Sequence, residues 1–212
     1  MEHEYIPESI IKANNERIAK LRTYAYQNMP TLPYHNIVHV EEAIAAAKQF
    51  GYRENIPPHK MFLLCSALYL HDIVYNVGSD MNEEDSADIA SDYCNHQDSG
   101  YNQEETSEII SLVLATKPHH LPQNKLEELI RDADLENLGR DVFFDKNELL
   151  RQEFGKKQNR EWMHCSYNFL VKHHYHTKAA QELRNEGKER NVQLLYSMLQ
   201  TYDISKEKNH GL

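Results

Sequence analysis

The sequence predicts an all-α fold, and three observations carry that expectation. Apolar residues recur at spacings of three and four along most of the chain, and no stretch alternates apolar and polar as a half-buried strand does. Gly and Pro number only seven each in 212 residues, too few for the many tight turns of an all-β domain. The periodic stretches are separated by Pro, Gly and Asn, the residues that stop and start helices. The length suits one domain with a full hydrophobic core. No internal repeat or low-complexity linker divides it. We therefore expect a single-domain helical bundle over 1–212, with a motif-bearing core at about 34–140 and further helices over 142–203.

Glu8–Asn28 opens with acids and carries Ile10, Ile11, Ile18 and Leu21 on an amphipathic face; Pro30 and Pro33 end it. A second helix lies in Tyr34–Ala47, with Asn36 placed as an N-cap before an Ala-rich run and Gly51 closing it. Pro57 and Pro58 start a third, which is expected to carry the apolar run Met61–Tyr69 and, near its end, His71 and Asp72. Gly78–Asp80 is a loop. Met81–Gln97 is a fourth helix, capped by Asn82 with acids in its first turn. Gln103–Lys117 is a fifth, turning Ile109, Ile110, Val113 and Leu114 inward and broken by Pro118; Asn124–Leu138 is a sixth, ended by Gly139. Val142–Phe154, Asn159–His174 and a last helix within Thr177–Tyr202 follow. Arg184–Arg190 reads as a solvated face or a break, and the terminal Ser205–Leu212 as frayed.

Composition removes several functions. The formal net charge is −10, which argues against duplex nucleic-acid binding. It does not exclude a small phosphorylated substrate, because a divalent metal and a few local Lys or Arg can reverse the field inside a pocket. Cys65, Cys94 and Cys165 are odd in number and lack C-x-x-C spacing, so they read as free thiols in a reducing compartment. The acidic start M-E-H-E-Y has no signal-peptide h-region, and Met61–Leu70 is about half of a membrane span. A cytoplasmic location is expected.

The segment Leu70–Asn76, L-H-D-I-V-Y-N, sets an imidazole and a carboxylate side by side at the end of an apolar run. Burying them costs several kcal/mol unless a metal or hydrogen bonds compensate. Helices sharing one core can bring His39, His71, Asp72 and Asp134 together. Two imidazoles with two carboxylates suit Mn, Fe, Mg, Co or Zn with positions left for water, rather than a closed thiolate zinc site.

Y-H-N-x-x-H at Tyr34–His39, H-D-I-V-Y at His71–Tyr75 and D-A-D-L-x-x-L-G at Asp132–Gly139 resemble the HD superfamily of metal-dependent phosphohydrolases. N-E-E-D-S-A (Asn82–Ala87), A-T-K-P-H (Ala115–His119) and L-R-Q-E-F (Leu150–Phe154) extend the resemblance toward a little-characterised subgroup, over about Tyr34 to Leu199. The bare H…HD…D pattern is weak, whereas the ordered set of six segments is specific. The resemblance implies an HD-type bundle whose metal ligands are His39, His71, Asp72 and Asp134. Asp132 is the rival for the last place. On a helix the two acids point about 200° apart, so only one faces the site.

Some related nucleotide hydrolases carry acids three and four residues after the HD aspartate, and those acids act on water. Here Tyr75 and Asn76 stand there instead. Glu83 is the candidate replacement base, beside Asp72 as the other catalytic carboxylate; the alternative for Glu83 is a helix-start acid favoured by the macrodipole. Glu84 is its neighbour. His35, four residues before His39, is open to four roles: a phosphate donor, a brace for the ligands, a ligand of a second metal, or simply a capping partner beside Asn36. Lys117 and His119 are further phosphate contacts, with His120 a weaker candidate. Arg151 rests on the resemblance alone. His173, His174 and His176 read as surface histidines, and Cys65 as core. No G-x-S-x-G, P-loop, G-x-G-x-x-G or H-E-x-x-H occurs. The function implied is hydrolysis of a nucleotide or related phosphoester by metal-activated water. The alternatives are another reaction at the same centre, as in di-iron oxygenases or hydratases and lyases of HD fold, or a nucleotide-sensing module without turnover. Oligomeric state is not legible in the chain.

Overall fold

The computed structural model describes residues 7–209, and every regular element among them is helical. The nine α-helices are α1 (Glu8–Asn28), α2 (Ile37–Arg53), α3 (Pro58–Leu70), α4 (Asn82–Asn95), α5 (Gln103–Ala115), α6 (Lys125–Asp134), α7 (Phe143–Glu153), α8 (Arg160–Lys172) and α9 (Lys178–Asn209), with a 3-10 turn, Glu136–Gly139, after α6.

The middle of the bundle is α3. Its sequence is apolar all round, and Phe62 through Leu70 are all buried. A helix without a polar face must be surrounded, and α1, α2, α4, α5 and α6 pack on it. One continuous core results, running from Leu21 and Ala25 through Phe50, Leu64, Leu68, Ile109 and Ile130 to Leu170 and Leu195. No helix among the described residues is long and apolar enough to cross a membrane.

The Asn36 cap falls where the sequence puts it, and further Asn caps open other helices. The Asn36 side chain accepts from Val38 N at 2.8 Å, Asn124 accepts from Leu126 N and Glu127 N at 3.0 Å each, and Asn159 accepts from Trp162 N at 3.0 Å. Asn102 and Glu105 form a reciprocal capping box on α5.

Other expectations need correction. Gly51 does not close α2, which runs on to Arg53. In α1, Leu21 and Ala25 are the buried residues, while Ile10 and Ile11 in the first turns face outward. Asn82 does not cap α4; it lies inside the first turn, and its amide is spent on the loop before it. The single helix expected over Asn124–Leu138 breaks after Asp134 into the 3-10 turn. Arg184–Arg190 is not a break, since α9 passes through it, and Glu186, Glu189 and Arg190 are exposed on it. Helix α9 runs to Asn209, and 210–212 of the stretch expected to fray lie outside the described residues.

Helix α9 grips the 3-10 turn closely. A Cβ on Gly187 would lie 2.0 Å from Gly139 O, and one on Gly139 would lie 2.4 Å from Arg184 O, so the two backbones meet where neither residue has a side chain. Asn191 Nδ2 donates to Leu138 O and Arg140 O at 3.0 and 2.9 Å, and Arg184 pairs with Glu136 at 3.0 Å. This contact fixes the chain directly after Asp134.

Candidate metal centre

Three elements deliver the HD residues to one point. His39 lies in the first turn of α2, directly after the Asn36 cap. His71 and Asp72 lie just beyond α3 rather than inside it, because the helix ends at Leu70; His71 is its C-cap and Ile73 N bonds Leu70 O at 3.2 Å. Asp134 is the last residue of α6. One ligand-type atom from each of the four lies within 4.8 Å of all the others, and among the described residues this is the one such group of three or more His, Cys, Asp or Glu.

His39 Nε2 is 3.0 Å from Asp134 Oδ1 and 3.5 Å from Asp72 Oδ2. His71 Nε2 is 3.1 Å from Asp72 Oδ2 and 3.4 Å from Asp134 Oδ1. Metal bonds about 2.0–2.2 Å long, set at right angles, place neighbouring donor atoms about 3 Å apart. The histidines are 4% and 2% exposed, so the cluster faces little water.

The hydrogen-bond inventory fits a cation. His71 Nδ1 donates to Leu68 O at 2.8 Å, which in the neutral ring leaves a lone pair on Nε2. His71 Nε2 and Asp72 Oδ2 are both buried and neither has a hydrogen-bond partner. Their 3.1 Å approach is a charge contact without hydrogen-bond alignment. Without a cation the imidazole must hold a proton instead. Burial pushes His71 down, and the Asp72 charge with contacts to Asp134 and Asp72 more than offsets it, leaving His71 well above its ordinary value. Burial pushes both carboxyls up, and the histidines pull them back further, so Asp72 and Asp134 lie below the usual carboxylate range.

The rival acid faces the other way. Asp132 is fully buried and accepts from His176 N at 2.8 Å, Thr177 N at 2.7 Å and Thr177 Oγ1 at 2.7 Å, tying α6 to the start of α9. Burial raises its carboxyl, and those bonds offset the rise only in part.

The loop after Asp72 is stitched to α4. Asn82 Oδ1 accepts from Asn76 N at 2.8 Å and its Nδ2 donates to Asn76 O at 3.2 Å. Ser86 Oγ accepts from Val74 N at 3.2 Å and donates to Val74 O at 3.1 Å. Asn82 and Ser86 are one turn apart on one face, so N-E-E-D-S-A acts as a pair of backbone clasps. Glu83, next to the first clasp, is half-buried; burial raises its carboxyl, and the nearby charges of Asp72 and Glu84 raise it further. Glu84 turns to Lys117 and forms an ion pair with it.

The remaining candidates separate. His35 precedes α2, so it does not share a helical face with His39; its ring lies 6.0 Å from the His39 ring, centroid to centroid. Its Nδ1 pairs with Glu153 on the last turn of α7, and its ring stacks on Tyr75. His119 is exposed at φ 67° in the turn after α5. That turn is held by Arg131, which donates to Ala115 O at 2.6 Å and Lys117 O at 2.8 Å. His120 pairs with Glu127 at 2.9 Å. Arg151 is engaged by Glu148 at 2.6 Å and by Lys156 O. His174 and His176 are exposed and His173 is half-buried, and the three form no ligand cluster. Cys65 is buried, and burial pushes its thiol up to about 11. Sequence reasoning missed Glu153 as a site residue, although it sits inside the L-R-Q-E-F segment.

No family model matches the chain, and no curated protein matches it in sequence. Solved structures do. The crystal structure of Bacillus subtilis YpgQ in complex with ADP is 16% identical, superposes with a TM-score of 0.65, and matches over 89% of this chain and 96% of that one. That of selenomethionine YpgQ is 14% identical, with a TM-score of 0.65 over 89% and 97%. At such identities the likeness is one of fold: the chain is an all-α protein built as YpgQ is, with a His and Asp cluster able to hold a divalent metal.

Proposed function

We propose that this chain is a metal-dependent phosphohydrolase of the HD superfamily, acting on a nucleotide or a related small phosphoester in the cytoplasm. The observation that carries the reading is the pair of buried polar atoms, His71 Nε2 and Asp72 Oδ2, left without hydrogen-bond partners at the focus of two imidazoles and two carboxylates. A cation satisfies all four groups at once. The fold shared with YpgQ, which was solved with ADP, supports a nucleotide-like ligand.

In this reading His39, His71, Asp72 and Asp134 hold the metal. A divalent ion there supplies Lewis acidity, lowering the pKa of water and neutralising phosphoryl charge. Glu83 takes the proton from the attacking water; its raised carboxyl moves it toward the working pH of a general base. His35 offers Nε2, the ring nitrogen not used by Glu153, as an acceptor to a hydroxyl of the substrate. Lys117 and His119, at either side of the Pro118 turn, supply phosphate contacts, with Lys117 exchanging Glu84 for the substrate. The test is a panel of nucleotides and simple phosphoesters with the metal found in the purified protein. Turnover that vanishes with a chelator and returns with the metal supports the reading. Tight nucleotide binding without product over hours replaces it with a sensing role.

A further inference from the structure

The ring of His35 is held from two directions by residues outside the metal cluster. At its edge, Nδ1 meets Glu153 Oε1, while Glu153 Oε2 accepts from Tyr34 N and His35 N at 2.9 Å each. The Glu153 side chain has no exposed surface and comes from 118 residues away in the chain. Burial raises its carboxyl, and the His35 and backbone hydrogen bonds more than offset that, so Glu153 stays ionised. An ionised carboxylate only accepts, so Nδ1 carries the hydrogen and Nε2 is the nitrogen left for other partners. Across the face, the Tyr75 ring lies parallel within 15°, its centroid 3.4 Å away. Tyr75 occupies one of the two positions where some related hydrolases keep an acid, and it cannot replace that acid as a base. Burial and the charges of Asp72, Glu153, Glu83 and Asp134 push its phenol well up, and it remains a neutral ring.

We propose that Glu153 and Tyr75 are positioning residues for His35: Glu153 selects the Nδ1–H tautomer, and Tyr75 fixes the plane of the ring, so that the Nε2 lone pair is presented as an acceptor to a hydroxyl of the substrate in one orientation. This rests on the substrate-binding role given to His35 above. Two restraints are needed because the imidazole torsion is broad and roughly two-fold, and a hydrogen bond at one edge still leaves the ring free to rock. Misplacement of a reacting contact by about 1 Å costs on the order of 10²-fold in rate.

The tautomer can be read without turnover. In Glu153→Gln the amide keeps one acceptor oxygen for the two backbone N–H groups and turns its NH2 toward His35. Nδ1 must then accept, and the hydrogen moves to Nε2. Long-range proton–nitrogen spectra of the full chain labelled at histidine, with His35 assigned through His35→Asn, should show Nδ1–H in the wild type and Nε2–H in Glu153→Gln. An unchanged tautomer overturns the role of Glu153. The second arm uses the phosphoester that the panel turns over. Glu153→Gln and Tyr75→Ala should lower kcat about 10- to 100-fold with KM moving less than about threefold. Tyr75→Phe should restore most of what Tyr75→Ala loses. Both losses should disappear in a His35→Ala background, because residues acting through one group are not additive. Full-size losses in that background, or a Tyr75→Phe enzyme as slow as Tyr75→Ala, overturn the proposal. If no phosphoester is turned over, the hydrolase reading fails, while the tautomer still decides whether Glu153 sets the His35 ring.

Discussion

Asp132 and Asp134 are two residues apart on α6 and face opposite duties, so replacing each with Asn should separate metal binding from stability. Asp134 Oδ1 touches both imidazoles, at 3.0 and 3.4 Å. Losing such a donor weakens metal affinity by roughly tenfold or more, about 1.4 kcal/mol. At saturating metal that lowers the metal-induced rise in melting temperature by about 3–6 °C for a chain of this size. Asp132 makes no contact with the histidines of the cluster. Its Oδ2 takes both donors of Thr177 and its Oδ1 takes His176 N. The single acceptor oxygen of Asn serves one side only, leaving at least one buried donor without a partner, at about 1–3 kcal/mol. Asp132→Asn should therefore melt several degrees lower with or without metal, and its metal-induced increment should match the wild type. Thermal melts of chelated and metal-loaded protein, with calorimetric titration of the metal, read both quantities. If Asp132→Asn loses the increment and Asp134→Asn keeps it, the fourth ligand is misassigned.

Metal uptake near neutral pH should release a proton, because Asp72 and Asp134 hold His71 protonated until a cation replaces the proton. Titration calorimetry in buffers of differing ionisation enthalpy measures it, and zero release contradicts the account. The linkage sign follows from the same raised His71 value: in the metal-free protein its contribution is full below the ordinary histidine pKa near 6.5 and is lost as pH rises through the raised one, so chelated protein should melt lower at pH 9 than at pH 6. Glu83→Gln should keep the metal and lower kcat by roughly 10²–10⁴-fold, with Glu84→Gln near wild type; normal turnover in Glu83→Gln makes Glu83 only a helix-start acid. Because burial raises the Glu83 carboxyl, kcat should fall as pH drops through a value above 4.5. Gly187→Ala should destabilise the fold by about 1–3 kcal/mol or more, since the new methyl meets Gly139 O at 2.0 Å; an unchanged melt contradicts that packing.

Much of the fold was legible because it is local. Helix periodicity with Asn and Pro boundaries places α1, α5 and α8 to within two residues or so. The opposed directions of Asp132 and Asp134 follow from the helical repeat, and the structure separates them as expected. What the sequence hides is set by distant partners. Nothing near Leu70 says that α3 stops before His71, because neither Gly nor Pro stands there and apolar Ile73 and Val74 follow the His-Asp pair. Asn82 looks like a cap, and only the packing of α4 on the preceding loop redirects its amide to Asn76. Why a Gly stands inside α9 at position 187 is visible only with Gly139 lying against it. Glu153 is one acid in a polar helix until the fold brings it to His35, and no local pattern distinguishes it.

The central claim, that this His and Asp cluster is a metal centre, is tested most directly by elemental analysis of purified wild type, His71→Ala and Asp72→Ala. The account predicts a stoichiometric divalent transition or alkaline-earth metal in the wild type, lost in both variants while their helical circular dichroism survives. Full metal occupancy in either variant would place the site elsewhere and contradict it.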